Sequence, residues 1–273
     1  VGLIAIALAF DFLNGLHDAA NSIATVVSTR LLSPVWAVLF AAFGNFAAYW
    51  LVGLHVAETV GKGIVDKDAV TPAVVFGALM GAIFWNVVTW LKGIPSSSSH
   101  ALIGGLLGAG IAHGGFAVVE SSGTTKTVAA IFLSPVIGFA LAMLMVLITS
   151  WLFKGFQPRR AEGVFKTLHL FSSAAYSISH GGNDAQKTMG IITVLLYSTG
   201  QLNGEFHVPE WVVISCYAAI ALGTMSGGWR IIKTMGTKFT KLNHHTGFSA
   251  STAGSMVVFG ASSMGFPVST THA

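Results

Sequence analysis

The chain opens with an apolar stretch that is long enough to cross a bilayer, VGLIAIALAFDFLNGLHDAANSIATVVS (residues 1–28). A helix needs about 20 mainly apolar residues to span the hydrocarbon core of a membrane. Two acidic residues, Asp11 and Asp18, nevertheless lie within the stretch. An ionised carboxylate there is costly unless a cation, a hydrogen-bond donor or a proton accompanies it. The stretch therefore predicts a membrane helix that carries a functional site.

Composition extends this prediction to the whole chain. Of the 273 residues, 53% are hydrophobic and only 9% are charged, whereas soluble domains carry about 25% charged residues. Further apolar stretches lie at 34–55, 72–92, 125–153, 165–198, 209–228 and 246–264, with a shorter one at 101–118. The sequence thus predicts an all-α polytopic membrane protein whose outer face is covered by the lipid bilayer.

The charged residues indicate orientation rather than a charged ligand. The net charge of +4 comes largely from two short basic segments between apolar stretches, 154–166 and 230–241, so no nucleic-acid partner is expected. Two predicted crossings separate these segments, and the positive-inside rule places both on the cytoplasmic side. The expected location is the cytoplasmic (inner) membrane of the cell, crossed several times. A single cysteine, Cys216, excludes a disulfide framework.

Two pairs of matching motifs indicate an internal repeat. Residues 14–21 (NGLHDAAN) correspond to residues 180–187 (HGGNDAQK), and residues 93–101 (GIPSSSSHA) correspond to residues 265–273 (GFPVSTTHA). Asp18 precedes His100 by 82 residues, and Asp184 precedes His272 by 88. Chance does not readily produce two paired motifs at nearly equal spacing, so we expect two related halves.

The repeat divides the chain into three predicted parts. Residues 1–120 form the first repeat, 121–164 a connecting transmembrane helix with a basic cytoplasmic loop, and 165–273 an incomplete second repeat. If the two arms around Pro95 both cross, or form a re-entrant hairpin, the halves are inverted; if one arm crosses, they are parallel. Inverted repeats with interrupted helices are typical of transporters, and we predict this arrangement. Because the chain lacks a first methionine and stops after the second tip, we expect it to be truncated at both ends.

The acidic motifs supply predicted ligands for both the substrate and a coupling ion. Asp18 and Asp184 are candidates for both roles. Asn21 follows Asp18 by three residues and shares its helical face. Asp11 precedes Asp18 by two turns and is either a further ligand of the coupling ion or an interfacial residue. Carboxylates held for packing alone are the alternative, but the duplication of the motif favours a function.

Hydroxyl groups follow a proline in both hairpin tips. Proline interrupts a helix and frees backbone groups, and the helix N-terminus that follows attracts anions through its N–H groups and dipole. The predicted anion-binding residues are Ser97, Ser98 and Ser99 in the first tip and Ser269, Thr270 and Thr271 in the second. A helix cap or a close helix contact is the alternative. His100 and His272 are coupling candidates, because imidazole titrates near neutral pH.

Together the four motifs closely resemble those of the PiT inorganic phosphate transporters, and the resemblance covers essentially the whole chain. It implies a symporter that carries inorganic phosphate with a cation, at a site formed by the acidic helices and the hairpin tips. Asn183 enters the predicted binding site on this basis.

One position departs from the pattern of sodium-coupled members. Lys187 stands where the first half has Asn21, and Gln186 precedes it as a further coupling-ion candidate. The pattern looks like the bacterial proton-coupled branch, which implies protons rather than sodium and a neutral metal–phosphate substrate, with magnesium or another divalent ion. The Lys187 ammonium either replaces a sodium ion or pairs with Asp184 or with phosphate.

Other functions fit the sequence less well. A sulfate permease is the main alternative, since sulfate is also a tetrahedral anion, but it offers no proton to an acceptor carboxylate. A channel or a membrane scaffold would not need duplicated carboxylates beside hydroxyl-rich helix breaks. The sequence contains no nucleotide-binding loop or metal-hydrolase pattern, so we expect no enzymatic activity, cofactor or resident metal. The sequence leaves the oligomeric state open, with a homodimer as one option.

Overall fold

The computed structural model describes residues 1–202, 206–238 and 242–273. In these ranges the chain folds almost entirely into α-helices, which are α1 (Gly2–Ser28), α2 (Pro34–Leu51), α3 (His55–Gly63), α4 (Pro72–Lys92), α5 (Ser98–Gly114), α6 (Ser121–Leu152), α7 (Pro158–Ser198), α8 (Glu210–Ser226), α9 (Trp229–Lys238) and α10 (His244–Ser263). A short 3-10 turn at Phe116–Val118 joins α5 to α6. The predicted all-α fold is confirmed.

Several helices have the length and composition of membrane spans. Among the described residues these are α1, α2, α4 and α6, and α8 with Trp229–Met235 forms a fifth candidate that is bent by 68°. The predicted stretches at 165–198 and 246–264 form α7 and α10, yet neither helix belongs to this set. Both are rich in buried polar residues, which lower the mean hydropathy of a helix although they face the protein interior.

The two basic segments are more helical than the sequence suggested. α7 begins at Pro158, a residue suited to the first position of a helix because its missing N–H would have no partner there. Arg159 and Arg160, predicted in a loop, therefore lie in the first turn of α7. Arg230 of the second segment lies on α9, whereas Lys241 falls outside the described residues.

Large apolar side chains cover the outer surface of α2, α4 and α6. They include Trp36, Phe43, Phe84, Phe132 and Trp151, each more than half exposed. Exposed apolar surface on this scale is unfavourable in water and favourable against lipid. These helices therefore form the lipid-facing wall, and the buried core lies among α1, α3, α4, α5, α7 and α8.

α4 and α5 form an antiparallel hairpin. Gly105 packs against the backbone of Ala78, and Gly77 faces Ala109. Gly93 follows the last residue of α4, and its φ of 64° lies in the left-handed region that glycine adopts without strain. Gly265, the matching residue after α10, has a φ of 72°. The matched glycines of the two hairpin-tip motifs thus share a left-handed backbone conformation.

α1 and α7 cross in opposite directions. Asp11 of α1 contacts Thr188 of α7, whereas Asp18 lies beside Asp184, which is nearer the beginning of α7. The helices that carry the matched acidic motifs therefore run antiparallel. This direction is compatible with inverted repeats, and the division of the chain into three parts stays a prediction.

Two glycines bring α1 and α8 into backbone contact. A methyl group added at Gly15 would lie 2.1 Å from the carbonyl oxygen of Ile220, and one added at Gly223 would lie 2.0 Å from that of Phe12. Small residues permit this close approach in membrane helix pairs. The contact fixes the position of α1 at the start of the motif that contains Asp18.

We expect Gly223→Ala to lower the free energy of unfolding by about 1–3 kcal/mol, because the added methyl group must push α1 away from α8. Gly81→Ala on α4 is the matched control, since no atom of the described residues lies within 4 Å of its added methyl group. Thermal unfolding of both variants in detergent measures the difference. Equal unfolding temperatures for the two variants would contradict the tight α1–α8 contact.

Candidate functional site

The two acidic motifs meet inside the protein. Asp18 is 2% exposed and Asp184 is fully buried. One potential ligand atom from each of Asp18, Asp184 and His180 lies within 4.8 Å of the other two. Side chains that are far apart in sequence thus converge on one place where a cation could be held, and His180 adds an imidazole to the two carboxylates.

Each aspartate is contacted by the hairpin tip of its own half. Ser98 Oγ donates a hydrogen bond to Asp18 Oδ1 at 3.4 Å. Thr270 Oγ1 donates to Asp184 Oδ2 at 3.2 Å. Ser98 and Thr270 occupy corresponding positions in the two tip motifs. The predicted pairing of acidic helix and hydroxyl tip is therefore present twice.

The residue three positions after each aspartate contacts the tip of the other half. Asn21 Nδ2 donates to Thr271 Oγ1 at 2.9 Å, and Lys187 Nζ donates to Ser99 Oγ at 2.6 Å. Thr271 and Ser99 also correspond in the tip motifs. Each half thus reaches the tip of the other half through the residue three positions after its aspartate. Such reciprocal contacts are expected for a site built on a pseudo-twofold repeat.

Lys187 is the charged centre of this network. Its side chain is 1% exposed. Besides Ser99, its Nζ donates to the Asp184 carboxylate and, at 2.7 Å, to the carbonyl oxygen of Val268. An ammonium group has three donors, and all three are used here. The first half places only the neutral amide of Asn21 at this position, so the two halves differ by one fixed positive charge.

A histidine lies beside each of the two aspartates. His17 Nδ1 lies 3.0 Å from Asp18 Oδ1, and its Nε2 lies 3.1 Å from Thr89 Oγ1. His180 Nε2 lies 3.3 Å from Asp184 Oδ2, and its Nδ1 lies 3.1 Å from Asn45 Oδ1. His17 therefore joins Asp18 to Thr89 by hydrogen bonds. His180 Nε2 lies within ion-pair distance of Asp184 but has no hydrogen-bond partner among the described residues. In the sequence, this contact is indicated by the position of His180 four residues, about one helical turn, before Asp184.

Asp11 is a third buried carboxylate near the site. Its side chain is fully buried inside the protein. Thr188, the residue after Lys187, donates to Asp11 Oδ1 at 2.9 Å, while Oδ2 has no hydrogen-bond partner among the described residues. An ionised carboxylate with one neutral donor is costly in such a place. Asp11 therefore stays a candidate for carrying a proton.

Several predicted site residues have other contacts. Asn183 Nδ2 donates to Ser262 Oγ at 2.8 Å, which joins α7 to α10. Gln186 Oε1 accepts hydrogen bonds from the backbone N–H groups of Val56 at 2.9 Å and Ala57 at 3.3 Å, at the start of α3. The amides of Asn183 and Gln186 thus join helices, although Asn183 Oδ1 is buried without a hydrogen-bond partner among the described residues.

Of the remaining tip hydroxyls, one caps a helix and another has no hydrogen-bond partner among the described residues. Ser97 Oγ accepts from the backbone N–H of His100 at 3.1 Å and caps α5. Ser269 Oγ is buried without a hydrogen-bond partner among the described residues, so its hydroxyl is available to a substrate. His100 and His272 lie beside the tips, where their ring centres are 4.8 Å apart.

A small cavity reaches the site from the side where α10 begins. Its volume is about 190 Å³, and its lining includes Asn21, Thr25, Ser251 and Thr271. Tyr176 also lines it and donates from its hydroxyl to the carbonyl oxygen of Thr270 at 2.8 Å. Tyr176 lies outside the four motifs of the sequence. Tyr176 precedes Asp184 by two helical turns, and this spacing is the feature of the sequence that indicates its position at the site.

Known proteins share this sequence and this fold. Residues 14–273 match the Phosphate transporter family. The chain is 63% identical to the "Probable low-affinity inorganic phosphate transporter" of Rhizobium meliloti (strain 1021), over all of this chain and 81% of that protein. It is 44% identical to the protein of the same description in Bacillus subtilis (strain 168), over 99% of this chain and 81% of that one.

A solved structure is also similar. It is described as "The sodium-dependent phosphate transporter", and it is 26% identical with a TM-score of 0.89, over all of this chain and 87% of that one. The agreement extends from the motifs to the arrangement of the helices. The chain therefore belongs to the phosphate transporter family, and it is a membrane transporter rather than an enzyme.

Proposed function

We propose that the protein is a secondary active symporter that imports inorganic phosphate across the cytoplasmic membrane together with a cation, and that the cation is a proton rather than sodium. The observation that carries the choice of cation is the buried Lys187 ammonium, which contacts Asp184 and Ser99. Membership of the phosphate transporter family supports phosphate over the sulfate alternative.

The substrate anion is held by neutral donors from both tips. Ser98, Ser99 and Thr270 donate to the two aspartates, and each of these hydroxyls can turn its proton from a carboxylate towards a phosphate oxygen. Thr271 accepts from Asn21 and donates to the carbonyl oxygen of Ser96 at 3.5 Å, so its proton can turn towards phosphate from that carbonyl instead. A carboxylate can in turn accept the proton of a phosphate P–OH group, which sulfate lacks near neutral pH. The proposed binding residues are Asp18, Asn21, Ser97, Ser98, Ser99, Asn183, Asp184, Lys187, Ser269, Thr270 and Thr271.

The position of Lys187 supports coupling to protons. Its ammonium already neutralises Asp184, which removes the need for a sodium ion beside that carboxylate. Protons can instead be carried by Asp11, whose Oδ2 has no partner among the described residues, and by Asp18 with His17. A divalent ion such as magnesium that accompanies phosphate as a neutral species would find its nearest ligand atoms on Asp18, His180 and Asp184, where Asp184 would be shared between the ion and Lys187.

We expect an inward proton gradient to accelerate the uptake of labelled phosphate into proteoliposomes several-fold, and an inward sodium gradient to have no effect. A protonophore should abolish the acceleration, and adding magnesium should increase uptake if a metal–phosphate is carried. Liposomes without protein provide the control. Uptake that follows sodium and ignores the pH gradient would overturn proton coupling, and equal competition by sulfate would overturn the choice of phosphate.

A further inference from the structure

We propose that a second polar cavity, separate from the buried site, captures inorganic phosphate at the outer face before it enters. This inference rests on the proposed function. The cavity has a volume of about 340 Å³ and lies between α3, the beginning of α6 and the end of α10. The polar side chains that line it belong to His55, Glu58, Thr59, Ser122, Lys126 and Ser263. None of these residues belongs to the transport site described above.

The cavity lies at the outer end of the molecule if the basic segments are cytoplasmic. Ser122 is in the first turn of α6, whereas Lys154 of the basic segment directly follows its last turn. A helix of 32 residues is about 48 Å long at 1.5 Å per residue. The cavity and the basic segment are therefore on opposite sides of a bilayer, and the positive-inside rule makes the cavity external.

One short segment separates the cavity from the buried site. Gly265 lines the cavity, and its position is so close to α3 that an added methyl group would lie 3.0 Å from Thr59 Oγ1. Three residues later, the carbonyl oxygen of Val268 accepts the hydrogen bond of Lys187 at 2.7 Å. A movement of residues 265–268 would therefore open a direct route from the cavity to the transport site.

Lys126 gives the cavity its attraction for anions and links it to this segment. Its Nζ lies 5.8 Å from the centre of the Phe266 ring, a cation–π distance. The first turn of α6 adds the positive end of a long helix dipole. An anion that enters the cavity thus meets a lysine which itself contacts the segment that closes the route inwards.

Glu58 favours an anion that carries a proton. Its carboxylate lines the same cavity as Lys126. A P–OH group can donate a strong hydrogen bond to a carboxylate, which has several acceptor positions. Sulfate has no such proton and meets only repulsion from the carboxylate. The cavity is therefore expected to prefer phosphate to sulfate, in agreement with the proposed substrate of the buried site.

Lys126→Gln should raise the KM for phosphate uptake about fivefold with a maximal rate within about twofold of the wild type, because electrostatic capture affects encounter rather than turnover. High ionic strength should reduce this difference, and Lys126→Arg should restore the KM. Lys154→Gln, at the other end of α6, is the matched control. A lower maximal rate with an unchanged KM would assign Lys126 to the movement of the tip and overturn the inference.

Labelling from outside tests the cavity independently of transport. Cys216, the only cysteine of the sequence, is fully buried, so a Ser122→Cys variant offers a membrane-impermeant maleimide one accessible thiol. Phosphate should slow the labelling, and sulfate should slow it much less. Phosphate protection without any uptake by the wild type would retain the cavity and overturn the proposed function. Normal phosphate uptake by the wild type, without protection of the Ser122→Cys thiol by phosphate, would retain the proposed function and overturn the cavity.

Discussion

Replacing Lys187 with asparagine is expected to make phosphate uptake depend on sodium and to reduce its dependence on the pH gradient. The variant gives the second half the aspartate–asparagine pair that Asp18 and Asn21 form in the first. Without the ammonium, Asp184 is left beside the oxygens of Ser99 and Val268, which are suitable ligands for sodium. In sodium-free buffer, uptake should fall about 100-fold or more, because removing one partner of a buried ion pair leaves the Asp184 carboxylate without a compensating cation.

The comparison with a surface lysine separates this effect from a general loss of charge. Lys166 pairs with Glu162 at 3.1 Å, and both side chains are at least half exposed. Exposed pairs of this kind contribute little to stability. Lys166→Asn should therefore leave uptake and its pH dependence unchanged. If Lys187→Asn transports at the wild-type rate without sodium, the ammonium does not determine the coupling ion.

Asp184→Asn should abolish uptake and also lower the free energy of unfolding by about 3–5 kcal/mol, because it leaves the Lys187 ammonium buried without its counter-ion. Asp18→Asn should abolish uptake with a smaller loss of stability, since the partners of Asp18 are a hydroxyl and an imidazole. Uptake assays and thermal unfolding measure the two effects. Asp68→Asn, in an exposed loop position, is the control.

A double variant distinguishes the role of Asp184 in transport from its role in stability. Asp184→Asn combined with Lys187→Met removes both buried charges, so much of the lost stability should return. Uptake should stay absent, because the acceptor for phosphate is still missing. Recovery of uptake together with stability would show that Asp184 serves only to neutralise Lys187.

The sequence predicted the parts of the site that occur twice. Asp18 and Asp184 were identified because a carboxylate in an apolar stretch is costly, and the tip hydroxyls because each run follows a proline in a repeated motif. The structure places Ser98 and Thr270 on these two carboxylates. All-helical architecture and family membership were likewise predictable, since both follow from composition and from the four ordered motifs.

Roles that depend on the direction of one side chain could not be predicted. Gln186 lies within the acidic motif, but its amide turns towards the start of α3. Tyr176 lies outside the four motifs, and only its spacing from Asp184 indicated the shared helical face. The basic residues near Arg159 were expected in a loop because charge marks the membrane boundary, yet charge does not prevent a helix from extending beyond it.

The first hairpin tip is bonded to both halves of the protein through two consecutive residues. Ser98 contacts Asp18, and Ser99 contacts Asp184 and Lys187. A rigid tip cannot move away from one aspartate and stay bonded to the other, so the contacts in both halves must break in the same event. Partial opening would expose a carboxylate and an ammonium together at a substantial cost. We therefore expect little slippage in this carrier: it should seldom leak protons without moving phosphate.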